Sequence, residues 1–169
     1  MWCAGVEGAG LAIMVAVSAD AVVRRGTPAD ALAAAEVWLR SRKAAVPAIP
    51  APVHTDDDVR HHFRTIVVME RELWVAVDDI SADVTGLLVL ADSDVDQLYV
   101  DPSWCGRGIG SQLLEQAKRL RPDGLWLWTF QANTRARRFY ERHDFVAVHA
   151  TNGSGNEERA PDVRYAWSP

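Results

Sequence analysis

Residues 101–120 read "DPSWCGRGIGSQLLEQAKRL", with glycines alternating at Gly106, Gly108 and Gly110 ahead of apolar Leu113, Leu114, Ala117 and Leu120. Those apolar positions share one face of an amphipathic helix, so a glycine-rich loop opens directly onto a helix N-terminus. The helix end carries partial positive charge and glycine lets a ligand approach the main-chain N–H groups, which is the chemistry of holding an anion. A P-loop needs Gly-Lys-Ser/Thr at its end, and Ile109-Gly110-Ser111 lacks the lysine. A dinucleotide site reads G-x-G-x-x-G in the first βα unit, whereas the spacing here is G-x-G-x-G, late in the chain. A purely structural turn would lose the backbone entropy of three glycines without return. What remains is a pyrophosphate held by loop amides. Two weaker signals point nowhere. His61 and His62 are adjacent, diverge on a helix and lack further ligands at metal spacing, so no metal is expected. Cys105 has no base beside it in sequence to make it a nucleophile.

The loop needs a scaffold. "DAVVRRG" reads as a short strand, and "TPADALAAAEVWLRSR" as a helix capped by Thr27, with Pro28 in first position and Leu32, Ala35 and Leu39 on one face. The prolines of "VPAIPAP" end it. Thr55 caps a second helix with acidic residues in its first turn and Val59, Phe63, Ile66 and Val67 as its buried stripe. "ELWVAVDD" and "VTGLLVLA" form a hairpin, and "VDQLYV" is a third strand leading into the glycine loop. "LWLWTF", apolar on both faces, predicts a strand inside a covered sheet. Helical "NTRARRFYERH", strand "FVAVHA", loop "TNGSGNEERAPD" and strand "VRYAW" complete the order β-α-α-β-β-β-α-β-α-β-β, an α/β fold.

At 169 residues the chain suits one domain. Its 23 Asp plus Glu against 18 Lys plus Arg argue against a nucleic-acid partner. Two cysteines, Cys3 and Cys105, are too few for a disulfide framework, which favours the reducing cytoplasm. The apolar "GLAIMVAVSADA" is flanked by Glu7 and no Lys or Arg, unlike a secretory signal, and is too short to span a bilayer. Residues 1–19 are therefore expected to be a loosely ordered extension, with Met14 as an alternative start, and residues 20–169 the domain. No membrane association is expected.

"LYVDPSWCGRGIGSQLL" followed by "LWTFQANTRARRFYERHDF" resembles the GNAT superfamily of acyl-CoA-dependent N-acetyltransferases, whose loop pattern is Gln/Arg-x-x-Gly-x-Gly/Ala after a strand. The resemblance spans roughly residues 20 to 167. It implies a mixed, mostly antiparallel twisted sheet of about seven strands flanked by four helices. Two positions depart from the pattern. Cys105 stands where the family usually has Gln or Arg bracing the loop, and Asp144 replaces a glycine that often needs a left-handed backbone, which Asp tolerates.

The resemblance also assigns roles. The pantetheine arm of acetyl-CoA would pair with the main chain of Leu98, Tyr99 and Val100, with an N–H near Leu98 or Tyr99 on the thioester carbonyl. The diphosphate would take the amides from Gly106 through Arg107, Gly108, Ile109 and Gly110 to Ser111, with Cys105 at the loop's start and Arg107 either adding charge or simply solvated. Tyr140 would protonate the departing thiolate, and Asn133 would cap its helix, bond the pantetheine, or both. An ammonium acceptor must lose a proton first. Asp92, Asp94 and Asp96 alternate on one strand face, and Asp94 or Asp96 would draw that proton through water. Acceptor selection would fall to Trp38, residues 47–54 including His54, His61, and Asn156, Glu157 and Glu158, where the carboxylates suit a cationic amine, small or peptidic. Homodimerisation is implied by the family alone. A catalytically weak acyl-CoA-binding or sensing module, motivated by Cys105, is the other reading.

Overall fold

The computed structural model describes residues 21–169; the expected N-terminal extension lies outside the described residues. Strand β1 (Ala21–Arg25) passes through a 3-10 turn (Pro28–Asp30) into α1 (Ala31–Ala45). Thr27 caps that turn reciprocally with Asp30, as the Thr-Pro-x-Asp pattern predicts. Helix α2 starts at Asp56–His62 on a capping box between Thr55 and Asp58, passes through a π-helical turn (Phe63–Val67) and ends at Val68–Glu70. The wider turn keeps Val59, Phe63 and Val67 buried on one side at four-residue steps, while Ile66 is only half-buried. Strands β2 (Glu72–Asp78), β3 (Val84–Ala91) and β4 (Asp94–Val100) follow. Then come α3 (Ile109–Leu120), β5 (Leu125–Phe130), α4 (Thr134–Glu141), β6 (Val146–Ala150) and β7 (Asp162–Trp167). The expected element order is the observed one.

The seven strands form one sheet in the order β1-β2-β3-β4-β5-β7-β6, antiparallel except for β4 beside β5. Alternation along each strand supplies two cores. Leu73, Val75, Leu87 and Val89 face α1 and α2, whereas Ala76, Leu88, Leu90, Leu125 and Leu127 face α3 and α4. Helix α3 lies so close to β3 that a methyl on Gly86 would stand 2.9 Å from Ile109 Cγ2.

Three details differ from the pattern read in the sequence. Leu32 is 41% exposed, because Ala31, Ala34, Ala35 and Val37 fill the α1 interface in its place. Strand β5 is covered on one face only: Leu125 and Leu127 are buried, while Trp128 is 41% exposed and Trp126 carries the Arg164 guanidinium 4.3 Å above it. Asp92 is not on the strand at all. It occupies the β3–β4 turn at φ 51°, where Asp is among the better-tolerated residues.

Two irregularities shape β4. Gln97 faces Val89 and Val95 faces Leu90, which leaves Asp96 as the extra residue of a β-bulge. Val95 and Leu98, three apart, consequently both enter the α3–α4 core. On its other side β4 meets β5 at one pair only, Asp94 with Trp126, and the strands then diverge.

Candidate active site

The divergence of β4 from β5 opens a wedge along the β4 edge. Asp101 N–H donates to Thr85 O at 2.9 Å, and Tyr99 stands opposite Leu87. Alternation in an antiparallel ladder therefore turns the main-chain groups of Leu98 and Val100 away from β3, into the wedge. Ser41 Oγ donates to Val100 O at 2.7 Å, leaving the N–H groups of Leu98 and Val100 facing the gap.

At the wide end of the wedge the chain leaves β4 through Asp101. Its carboxylate accepts from Ser103 N–H at 2.9 Å and from Arg40 Nε at 2.6 Å, which fixes the exit angle. Although burial opposes it, these donors hold the Asp101 carboxyl below the usual carboxylate range. Gly106 and Gly108 both sit at φ 82°, and Gly108 is the left-handed residue from which α3 starts. The first helical bond runs from Gln112 N–H to Gly108 O, so the amides of Ile109, Gly110 and Ser111 are helix-start donors with no acceptor among the described residues. They border a cavity of about 280 Å³, lined also by Val100, Cys105, Phe139 and Arg142. The Arg107 guanidinium lies 4.4 Å over the Trp104 ring and does not line that cavity.

Further down the wedge Leu98, Tyr99, Asn133 and Tyr140 line a second cavity of about 200 Å³. Tyr140 is 4% exposed, with its ring 5.3 Å from Phe139, 5.9 Å from Phe145 and 6.2 Å from Tyr165. Burial, with Tyr99 nearby, pushes its phenol well above the ordinary value, so it is protonated at neutral pH. Asn133 caps α4, accepting from Ala136 N–H at 3.1 Å, and is buried in the same wall.

Asp96 links this cavity to a third and larger one, of about 630 Å³, on the α1–α2 side of the sheet. Its carboxyl is exposed to the cavities, yet the surrounding walls displace enough water to push its pKa up. Asp94 lies at the foot of the wedge and lines none of the three cavities. Desolvation, and then the charge of Asp96, push Asp94 up to about 7, against the pull of Arg164 and Arg71.

The large cavity brings together most of the residues expected to select an acceptor. Trp38 donates Nε1–H to Gln97 Oε1 at 2.9 Å, His54 and Glu157 sit 2.9 Å apart at the rim, and His61 and Glu158 are also in the wall. Asn156 is committed elsewhere, donating to Asp162 Oδ2 at 2.9 Å and exchanging bonds with Ala160 to close its own loop. Arg42 is the residue sequence reasoning missed. It is 3% exposed, donates to Glu158 Oε1 at 2.7 Å, lies 5.5 Å over Trp38 and 5.4 Å over Phe130, and borders both cavities. Its one signal was an Arg four residues after Trp38 on an apolar helix face. Among the described residues no group of His, Cys, Asp and Glu is arranged to hold a metal, and no helix is long and apolar enough to cross a membrane.

Residues 69–147 match the family described as acetyltransferase (GNAT) domain. Over 76 residues the chain is 41% identical to peptidyl-lysine N-acetyltransferase YjaB of Salmonella typhimurium, a match covering 45% of this chain and about half, 51%, of that protein. The fold superposes on the apo solution structure of YjaB from Escherichia coli with a TM-score of 0.70 at 23% identity, covering 87% of this chain and 97% of that one. The acetyl-CoA complex of the acetyltransferase yncA from Salmonella typhimurium gives 0.63 at 18% identity, covering 88% and 94%. Residues 69–147 thus match the GNAT acetyltransferase domain, and the fold around them is the one GNAT acetyltransferase structures share.

Proposed function

We propose that the chain transfers an acetyl group from acetyl-CoA to a primary amine by direct attack in a ternary complex. The observation that carries this reading is the single β4–β5 pair at Asp94 and Trp126, beyond which the β4 edge lies open between the glycine loop and Tyr140. A strand-like pantetheine fills such a wedge by pairing with Leu98 and Val100, and the loop amides from Gly106 to Ser111 take the diphosphate. The thioester then lies beside Tyr140, with the acceptor entering from the large cavity past Asp96.

In this scheme the ammonium first gives a proton to Asp96, directly or through water. The neutral amine attacks the thioester carbon, and the oxyanion that forms accepts the Leu98 N–H. Collapse breaks the C–S bond, the thiolate takes the Tyr140 proton, and the second proton of the attacking nitrogen leaves through water and restores the phenol. Burial that raises the phenol would raise a thiol in the same wedge as well, which narrows the gap between proton donor and acceptor. Asp94 acts at one remove, through its charge on Asp96.

The relative from Salmonella carries a peptidyl-lysine name. A lysine side chain suits a half-open cavity with Asp96 inside and Trp38 and Phe130 on its walls, which makes a lysine peptide the first acceptor to try. The test is thiol release from acetyl-CoA with a panel of lysine peptides, amino acids and small amines. Amine-dependent release supports the reading; coenzyme A binding without release on any amine replaces it with an acyl-CoA-binding module.

A further inference from the structure

Ser111, in the first turn of α3, borders the loop cavity, and its Oγ lies 2.9 Å from His143 Nε2. The other ring nitrogen, Nδ1, lies 2.8 Å from Phe139 O. A carbonyl oxygen only accepts, so Nδ1 carries a hydrogen in either charge state. The ring is held further by Phe139, 4.4 Å away between centroids, and the His143 carbonyl is held by Lys118 Nζ at 2.8 Å.

That arrangement ties the Ser111 hydroxyl to the charge of His143. With a neutral imidazole Nε2 is a bare acceptor, so Ser111 O–H points at it and turns only oxygen lone pairs toward the cavity. With an imidazolium Nε2–H donates to Oγ, and Ser111 O–H is released to donate to an anion. Resting on the acyl-CoA reading above, we infer that His143 is a positioning residue for the diphosphate of coenzyme A: its protonation turns the Ser111 hydroxyl into a phosphate donor, so binding takes up a proton. The charged groups around the pair are Lys118 and Glu115 on α3, Asp144 after α4, and Arg135 and Arg142 across the cavity. Carboxylates, lysines and arginines as residue types ordinarily keep one charge state across neutral pH and an imidazole does not, so the coupling is read on the imidazole.

The probe is 3′-dephospho-coenzyme A, whose diphosphate does not titrate in this range, unlike the 3′-phosphate of coenzyme A. Calorimetry should show its affinity falling about three- to tenfold from pH 5.5 to 8, the net worth of one ordinary hydrogen bond. Proton uptake should appear as a binding heat that depends on the buffer's ionisation heat. Ser111→Ala should bind more weakly at pH 5.5 and lose both the slope and the uptake; His143→Asn should do the same. The Ser111 variant keeps the α4 contacts of His143 and guards against a folding defect. A slope that survives in Ser111→Ala, or a flat wild-type profile, overturns this inference alone. Failure to bind either coenzyme A or its dephospho form overturns the acyl-CoA reading and this inference with it.

Discussion

Arg42 Nη2 stands 2.7 Å from Glu158 Oε1, joining helix α1 to the loop before β7 across 116 residues of sequence. Arg42 is almost fully buried and Glu158 is four-fifths buried, so the ion pair forms part of the partition between the two cavities. Removing one partner of such a pair strands the other charge. Glu158→Gln is predicted to destabilise the fold by about 2–4 kcal/mol, read from urea unfolding, and to raise KM for the amine more than KM for acetyl-CoA. Equal rises in both would remove Arg42 and Glu158 from acceptor selection.

Tyr140→Phe deletes one hydroxyl and keeps the ring contacts with Phe139, Phe145 and Tyr165. As the proton donor to the leaving thiolate, Tyr140 should cost about 100-fold in kcat when lost, with KM for acetyl-CoA little changed. A variant with full turnover would leave the thiolate to be protonated by water.

Asp94 is pushed up to about 7, chiefly by desolvation and then by Asp96. An unfolded chain releases the same proton near its ordinary value of about 4, so between the two the folded state holds more protons. Stability therefore falls as pH rises from about 4 toward 7, and the whole penalty is present above. Asp94→Asn is predicted to raise Tm at about pH 8 and leave it unchanged near pH 4. Ionised Asp94 also makes Asp96 a better proton acceptor, so kcat should climb through about pH 7 in the wild type and lose that limb in Asp94→Asn. A limb that survives the substitution would assign it to another group.

At Gly108 a methyl would meet no described atom within 4 Å, but the φ of 82° disfavours any L side chain. Gly108→Ala should cost about 1 kcal/mol of stability from backbone strain. Gly108 also lines the cavity assigned to the diphosphate, so KM for acetyl-CoA should rise about tenfold while kcat holds. An unchanged KM would move the diphosphate elsewhere.

What the sequence made legible was local. Alternating glycines ahead of an apolar helix stripe carried the loop, Thr55 with Asp58 carried the start of α2, and Asp144 was read correctly as a left-handed residue, at φ 63°. What it hid depends on partners distant in the chain. The bulge that singles out Asp96 exists only against Val89 and Leu90, so strict alternation placed Asp92, Asp94 and Asp96 together where the structure separates them. Leu32 looked like core because alanines fill the interface as well as leucine would. The second apolar face of "LWLWTF" is met by Arg164 from β7 and by His149 from β6, not by a helix. Arg42 was missed because its partner Glu158 lies 116 residues away in the sequence.

A crystal structure with coenzyme A bound tests the central claim most directly. The account predicts the diphosphate within hydrogen-bonding distance of the amides between Gly108 and Ser111, the pantetheine paired to Leu98 and Val100 in the wedge, and the sulfur beside Tyr140. Coenzyme A found with its pantetheine outside the gap between β4 and β5 would contradict it.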